Sequence, residues 1–388
     1  METLGILIEQ GLVIHIGDFC TFFKIRIPNY SNYKLMLSNS NLRKEYSLDL
    51  KKAEFVAKFE SEEFLVKHQV LVHRVYTRTI VNVVTGAVMQ ESDSDLVVDI
   101  ALEVGLQSED ITNTDTIEIE LEQNNLGIDK VWYRCETTLE VEFSQYQQAT
   151  KNICFAWMEP WYSGFSLHGQ DSETINRVFI TVVDDSIEDI LEEIKMVSSN
   201  SLDDLLTQHY NSWGQIWSSG NVQVEGDMDL ARVILASQYY LYSSLPVPEL
   251  SSRPLPDFCG LSPGGLSYGF KGKDYQGHSF WDTSIWMYPP VLVLQPSMAR
   301  SLVDYRWGRL GAALDYASNT GWSGARYVEV SKIENKKNRL DQSRITTSWA
   351  ELCHRSNLHL NMFIFHVFFN LPSSSLQELS SYLSFLPF

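Results

Sequence analysis

Leu96-Val97-Val98-Asp99-Ile100-Ala101-Leu102-Glu103-Val104 decides the architecture of the first half of the chain. Successive side chains of a strand point to opposite faces, so Leu96, Val98, Ile100, Leu102 and Val104 fall on one side. Ile117-Glu118-Ile119-Glu120-Leu121-Glu122 alternates strictly, its apolar residues inward and its glutamates outward. Val70-Leu71-Val72, Leu139-Glu140-Val141-Glu142-Phe143 and Val178-Phe179-Ile180-Thr181-Val182 read the same way. Repeated period-two segments with polar connections predict a large antiparallel β-sandwich over residues 1–185. The glutamate stripe is a solvated sheet face in this reading, not a metal cluster.

The period changes after residue 186. The charged stretch Glu188 to Lys195 reads as a connector. Leu202, Leu205, Leu206, His209, Tyr210, Trp213 and Trp217 then recur at three and four, predicting an amphipathic helix capped by Ser201. Trp213 and Trp217 are expected to anchor it to a neighbouring domain. Residues 186–225 form a helical linker in this scheme. A second helix is expected from Asp227 to just before Pro246, with Leu230, Ile234, Ser237 and Leu241 on its stripe. A third follows Pro296, carries Leu302, Tyr305, Leu310, Ala313 and Ala317, and ends near Gly321. Strands first and helices later make two kinds of domain, the helical one spanning 226–327. Residues 328–388 pass from Lys-rich to Phe-rich to Ser/Leu-rich sequence without a sustained period, and read as a tail outside the fold.

With 388 residues, 44% of them hydrophobic and 12% aromatic, the chain has material for a large core. Its formal net charge of −19 repels phosphate and argues against nucleic-acid or anionic-membrane partners. Cys20, Cys135, Cys154, Cys259 and Cys353 are scattered and show no CxxC spacing, which predicts free, mostly buried thiols in a reducing compartment. Met1 to Phe22 has no basic segment ahead of an apolar run, and Met362 to Phe369 is far shorter than the roughly 20 residues of a spanning helix. The expectation is therefore a soluble, cytoplasmic protein. One sequon, Asn29-Tyr30-Ser31, points weakly the other way.

The stretch richest in chemistry runs from Gly260-Leu-Ser-Pro-Gly-Gly-Leu-Ser267 to Gly277-His278-Ser279-Phe280-Trp281-Asp282. Aromatic faces stack on the C–H side of a pyranose, and a carboxylate accepts from vicinal hydroxyls. Trp281 and Asp282 supply both side by side, with Tyr275, Trp286 and Tyr288 nearby. The alternative is a buried helix start with Asp282 as N-cap and the tryptophans as core. Gly264-Gly265 matches no phosphate loop. His278 reads as structural, and Arg300 with Asp304 as an ordinary i,i+4 surface pair.

These motifs carry a resemblance. Leu261-Ser-Pro-Gly-Gly-Leu-Ser-Tyr-Gly and Gly-Lys-Asp-Tyr-Gln-Gly-His-Ser-Phe-Trp-Asp282 resemble glycoside hydrolase family sixty-five. So do Trp286-Met287, Pro296-Ser-Met-Ala-Arg300, Tyr305-Arg306 and Gly321-Trp-Ser-Gly-Ala-Arg-Tyr327, together with Trp213 to Gly220 and Tyr239-Tyr240-Leu241. The resemblance is strong over residues 205–327; the sandwich fits by pattern and is expected to begin inside the family's N-terminal domain. It implies a β-sandwich, a helical linker and the first helices of an α/α six-hairpin toroid. It also implies inverting hydrolysis of glucose from glucosyl-galactosyl-hydroxylysine of collagen-type chains, or of a related α-glucoside, without a cofactor or metal. Trp281 and Asp282 match the pair that holds the substrate glucose. After Tyr327, Val328-Glu329-Val330-Ser331-Lys332 departs from the family pattern, and neither carboxylate of the catalytic pair is identified. An inverting glycosidase needs two carboxyl groups about 6.5–9.5 Å apart. The expectation is an incomplete toroid and an inactive chain, with a non-catalytic sugar-binding fragment and a disaccharide phosphorylase as alternatives.

Overall fold

A computed structural model describes residues 12–14, 25–27, 29–104, 112, 115–137, 152–158, 164–253, 261 and 282–327, except positions 40, 123, 185, 308 and 309 within those stretches. It divides into two compact units, residues 1–278 and 279–388.

The first unit is a β-sandwich backed by helices. A short pair joins β1 (Leu12–Ile14) to β2 (Ile25–Ile27). The smaller sheet has three strands, β3 (Tyr33–Leu37), β8 (Asp95–Leu102) and β12 (Phe165–His168), with β8 in the middle. The larger sheet has eight strands. Along the chain they are β4 (Arg43–Asp49), β5 (Glu54–Glu60), β6 (Phe64–Val72), β7 (Thr79–Val88), β9 (Ile117–Glu120), β10 (Lys130–Thr137), β11 (Asn152–Trp157) and β13 (Ile175–Asp184). Their spatial order is β4-β5-β6-β7-β13-β11-β10-β9, every pairing antiparallel.

β8 behaves as its alternation predicts: Leu96, Val98 and Ile100 are buried with Phe64, Val66, Val84, Phe165 and Phe179 between the sheets. β9 differs. It is the edge strand, paired only to β10, so Ile117 is 50% exposed while Lys130 bridges Glu118 and Glu120 on the solvated stripe. Val178 to Val182 keep the alternation, but neither of the two faces is solvated. Phe179 packs toward the small sheet, and Ile180 and Val182 join the cluster on the opposite face, because this central strand is covered on both sides. Leu139 to Phe143 lie outside the described residues.

Two helices cover the second face of the large sheet. The charged stretch expected as a connector is α1 (Ile187–Ser198), with Ser186 as N-cap accepting from Asp189 N. Its Ile190, Ile194 and Val197 are buried beside Leu71, Val81 and Val182, each contributing roughly 1.5–3 kcal/mol by leaving water. Glu193 of α1 is buried too, accepting from Thr79 Oγ1 at 3.1 Å. Then α2 (Leu202–Ser219) begins at Ser201, whose hydroxyl accepts from Asp204 N, as expected. Trp217 Nε1 donates to Lys51 O at 3.1 Å, and Trp213 lies under the Arg74 guanidinium at 5.2 Å, so both tryptophans tie α2 to sandwich turns. α3 (Met228–Ser243) starts after Asp227, which caps it. Its buried residues are Gln238 and Tyr242, however, while Leu230 is 47% exposed and Ser237 is exposed. Gln238 Nε2 donates to the Tyr242 hydroxyl, which donates to Gly220 O; polar contacts to the preceding turn select the buried stripe.

Two expectations about sulfur and sugar modification are corrected. Cys135 and Cys154 face each other directly in the β10–β11 register, with Cα atoms 4.0 Å apart, and form a disulfide. Residues 19 apart in sequence become neighbours only once the strands pair, which composition cannot reveal. The free-thiol argument for a reducing compartment falls with this bond. Asn29 of the sequon is buried, its Oδ1 accepting from Ser31 N, so the folded chain does not present it as a glycan acceptor. Among the described residues no helix is long and apolar enough to cross a membrane.

The second unit contains a π-helical turn (Thr283–Met287) running into α4 (Tyr288–Leu294), then α5 (Pro296–Trp307) and α6 (Leu310–Asn319). The stretch expected to be helical after Pro296 is α5 and α6, and residues 308 and 309 between them lie outside the described residues.

Candidate functional site

Trp281, the first sugar-wall residue expected from sequence, lies outside the described residues, as do Gly264, Gly265, Tyr275, His278 and Glu329. Asp282 is described. It is half-buried at the head of the π-turn, and its carboxylate makes no capping hydrogen bond to the amides that follow. The N-cap alternative for Asp282 is therefore corrected.

The π-turn has a local cause. Pro289 and Pro290 have no N–H to donate, so the α-helical bonds to the carbonyls of Ile285 and Trp286 are not available. The turn widens, and Tyr288 N donates to Thr283 O, five residues back. Thr283 is buried, while Ser284, Trp286 and Tyr288 are half-buried. π-turns within helices are frequent at functional sites. The Pro-Pro pair after Trp281-Asp282 was the sequence signal for this turn.

A second motif reaches the same place. Arg306 on α5 donates from Nη2 to Ser284 Oγ at 3.2 Å, and its guanidinium lies 5.6 Å from the Tyr327 ring and 5.8 Å from the Tyr305 ring. Burial pushes the Tyr327 hydroxyl up from the ordinary phenol value, with Arg306 opposing. Tyr327 is delivered there by the end of α6. Gly321, at φ 77°, follows the helix while Trp322 N donates to Ala317 O and Gly321 N to Ser318 O. This pair of bonds is a Schellman cap, which favours glycine at the left-handed position. The returning segment is pinned by Arg326 N to Ala313 O at 2.8 Å. Sequence reading singled out these motifs without giving Arg306 or Ser284 a role.

Arg300 and Asp304 form the expected surface pair at 3.0 Å, with both side chains exposed. Asp315 is also exposed. The π-turn and the segments packed on it thus carry one half-buried carboxylate, Asp282, and a separate group of Ser284, Arg306, Tyr305 and Tyr327. Such groups hold a polyol: the carboxylate accepts from hydroxyls, the guanidinium donates and the rings cover C–H faces. Among the described residues, no group of three or more His, Cys, Asp or Glu is arranged to hold a metal.

Residues 266–374 match the central catalytic domain of glycosyl hydrolase family 65. The match includes Trp281 and Asp282 and continues past residue 327, where the motif reading stopped. Over 290 residues the chain is 29% identical to protein-glucosylgalactosylhydroxylysine glucosidase of Mus musculus, covering 74% of this chain and 39% of that protein. Over 124 residues it is 39% identical to kojibiose hydrolase of Flavobacterium johnsoniae, covering 32% of this chain and 16% of that protein. A solved structure of a putative kojibiose phosphorylase from human microbiome superposes with a TM-score of 0.53 at 14% identity, covering 78% of this chain and 41% of that one. The chain spans about two-fifths of the length of the curated relatives first matched.

Proposed function

We propose that this chain, related to glycosyl hydrolase family 65 through residues 266–374, is part of a glycosidase that removes glucose from glucosyl-galactosyl-hydroxylysine by an inverting, two-carboxylate mechanism. The observation that carries the proposal is the uncapped, half-buried Asp282 at the head of a π-turn, inside the family-matching segment. Trp281 and Asp282 are the glucose-binding wall in this account. The indole covers the C–H face of the ring, and the carboxylate takes two hydroxyls. Ser284, Arg306 and Tyr327 back the turn that carries Asp282. The helices of residues 226–327, α3 to α6, are the first helices of the catalytic α/α toroid in this account.

Inverting hydrolysis also needs an acid to protonate the leaving oxygen and a base to activate water on the opposite face. The other carboxylates described between residues 282 and 327, Asp304 and Asp315, lie on exposed helix faces. In this account the chain on its own binds the glucoside without turning it over. Incubation of the purified chain with glucosyl-galactosyl-hydroxylysine should show saturable binding and no glucose; enzymatic glucose release would overturn the inactivity, and no binding would overturn the site. Phosphorolysis is a second reading, favoured by 33% identity over 138 residues to kojibiose phosphorylase of Escherichia coli (strain K12), 35% of this chain and 17% of that protein. It requires glucose 1-phosphate to form when phosphate is added.

A further inference from the structure

His73 and His209 are buried where α2 meets the sandwich, with ring centres 5.5 Å apart. Their hydrogen bonds fix one tautomer for each ring. His73 Nε2 donates to Leu205 O at 2.9 Å, while its Nδ1 accepts from Val75 N and Tyr76 N at 3.2 and 3.0 Å. His209 Nε2 donates to Lys52 O at 2.8 Å, while its Nδ1 accepts from Arg74 N at 3.1 Å. Each Nε2 thus faces a carbonyl and each Nδ1 faces backbone N–H groups. A second proton on either ring must sit on Nδ1, where it points at a donor and removes the acceptor. Protonating both rings breaks the bonds from Arg74, Val75 and Tyr76 and leaves buried donors unsatisfied.

We propose that His73 and His209 form an acid-release latch. Uptake of protons by the pair frees α2, and with it Trp213 and Trp217, from the β4–β5 and β6–β7 turns.

The carbonyls of Leu205, Lys52 and Ala53 oppose the effect of burial without offsetting it, and the described side chains around the pair place no carboxylate against either ring. From the β6–β7 turn, the buried Arg74 guanidinium donates to Leu245 O and faces Trp213, adding positive charge beside the rings. Tyr76 stands 4.9 Å from His73 and accepts from Asn200. From the β4–β5 turn, Lys52 points its ammonium to the Tyr210 ring and the Glu54 carboxylate. Glu54 is engaged by Tyr210 and Gln69 rather than by either histidine. From α3, Tyr239 faces Trp213, its hydroxyl pushed up to about 12 chiefly by burial. Burial accordingly holds His73 down to about 4 and His209 to about 3, the neighbouring His73 adding to the effect on His209.

The sign follows from linkage. The unfolded chain takes up these protons near 6.5, the folded joint only well below. Stability is therefore full above that value and falls as pH drops toward the folded values. Each histidine weakens the folding equilibrium by about tenfold per pH unit in that window, and the pair by about a hundredfold.

The test is denaturant unfolding of the full chain from pH 7 to 4.5, read by tryptophan fluorescence, for wild type and for the double variant His73→Asn/His209→Asn. Asparagine keeps an acceptor near each Nδ1 position and does not titrate. Wild type should lose about a hundredfold per unit more than the double variant between about pH 6 and 4.5; identical slopes would overturn the latch. Should the variant not fold, NMR of ring-labelled histidine in the wild-type chain decides. Two histidine signals that remain neutral to below pH 5 support the latch, and titration of every histidine near the ordinary value overturns it.

Discussion

Helices α1 and α4 show how differently two apolar segments of this chain are covered. In α1, Ile190, Ile194 and Val197 are no more than 1% exposed, pressed on the sheet formed by the strand immediately before them. In α4, Val291 is fully buried but Val293, two residues on, is 63% exposed; Trp307 of α5 and Leu314 of α6 are also open to solvent. An apolar stripe alone does not determine burial. A helix that folds back on its own strand finds its partner within a few residues, whereas among the described residues α4 to α6 leave apolar faces uncovered.

The largest expected effect sharpens that contrast. Ile194→Ala should cost about 2–5 kcal/mol in denaturant unfolding, through lost burial and a residual cavity, whereas Val293→Ala should stay within about 0.5 kcal/mol. A large loss at Val293 would show that α4 is covered in solution. Second, breaking the β10–β11 tie with Cys135→Ser should remove roughly 3 kcal/mol, read as a lower thermal midpoint that reductant no longer shifts. Unchanged stability with and without reductant would show the thiols to be free.

Third, Glu193 tests the buried joint beneath α1. Burial holds its carboxyl above the ordinary value, with Thr79 and Arg78 opposing. A raised acid gains stability as pH falls through its folded value toward that of the unfolded chain, opposite in sign to the histidine pair. Wild type should therefore gain on Glu193→Gln between neutral pH and pH 4.5; parallel pH profiles would show Glu193 to be solvated. The smallest effect belongs to the exposed Arg300–Asp304 pair, where Asp304→Asn should cost under about 1 kcal/mol.

Local features were legible in the sequence. The alternation of Leu96, Val98 and Ile100, the cap at Ser201 and the helix start at Asp227 depend on a few adjacent residues, and each reads through to the fold. Features set by distant pairing were not. The Cys135–Cys154 bond needs the strand register, the double burial of β13 needs covers on both faces, and the stripe of α3 is chosen by a bond to Gly220. His209 was read as one member of an apolar helix face; its bonds to Lys52 and Arg74 come from turns over 130 residues earlier. At the candidate site, Asp282 was legible as chemistry, but its release from capping was not. That depends on the turn widened by Pro289 and Pro290, and on Arg306 arriving from another helix.

Calorimetric titration of the purified chain with glucosyl-galactosyl-hydroxylysine, repeated on Asp282→Ala, addresses the glucose wall most directly. Saturable binding should weaken at least about tenfold in the variant, the loss of one charge-assisted hydrogen bond or more. Equal affinity in the two proteins would contradict the assignment of Asp282 to the sugar.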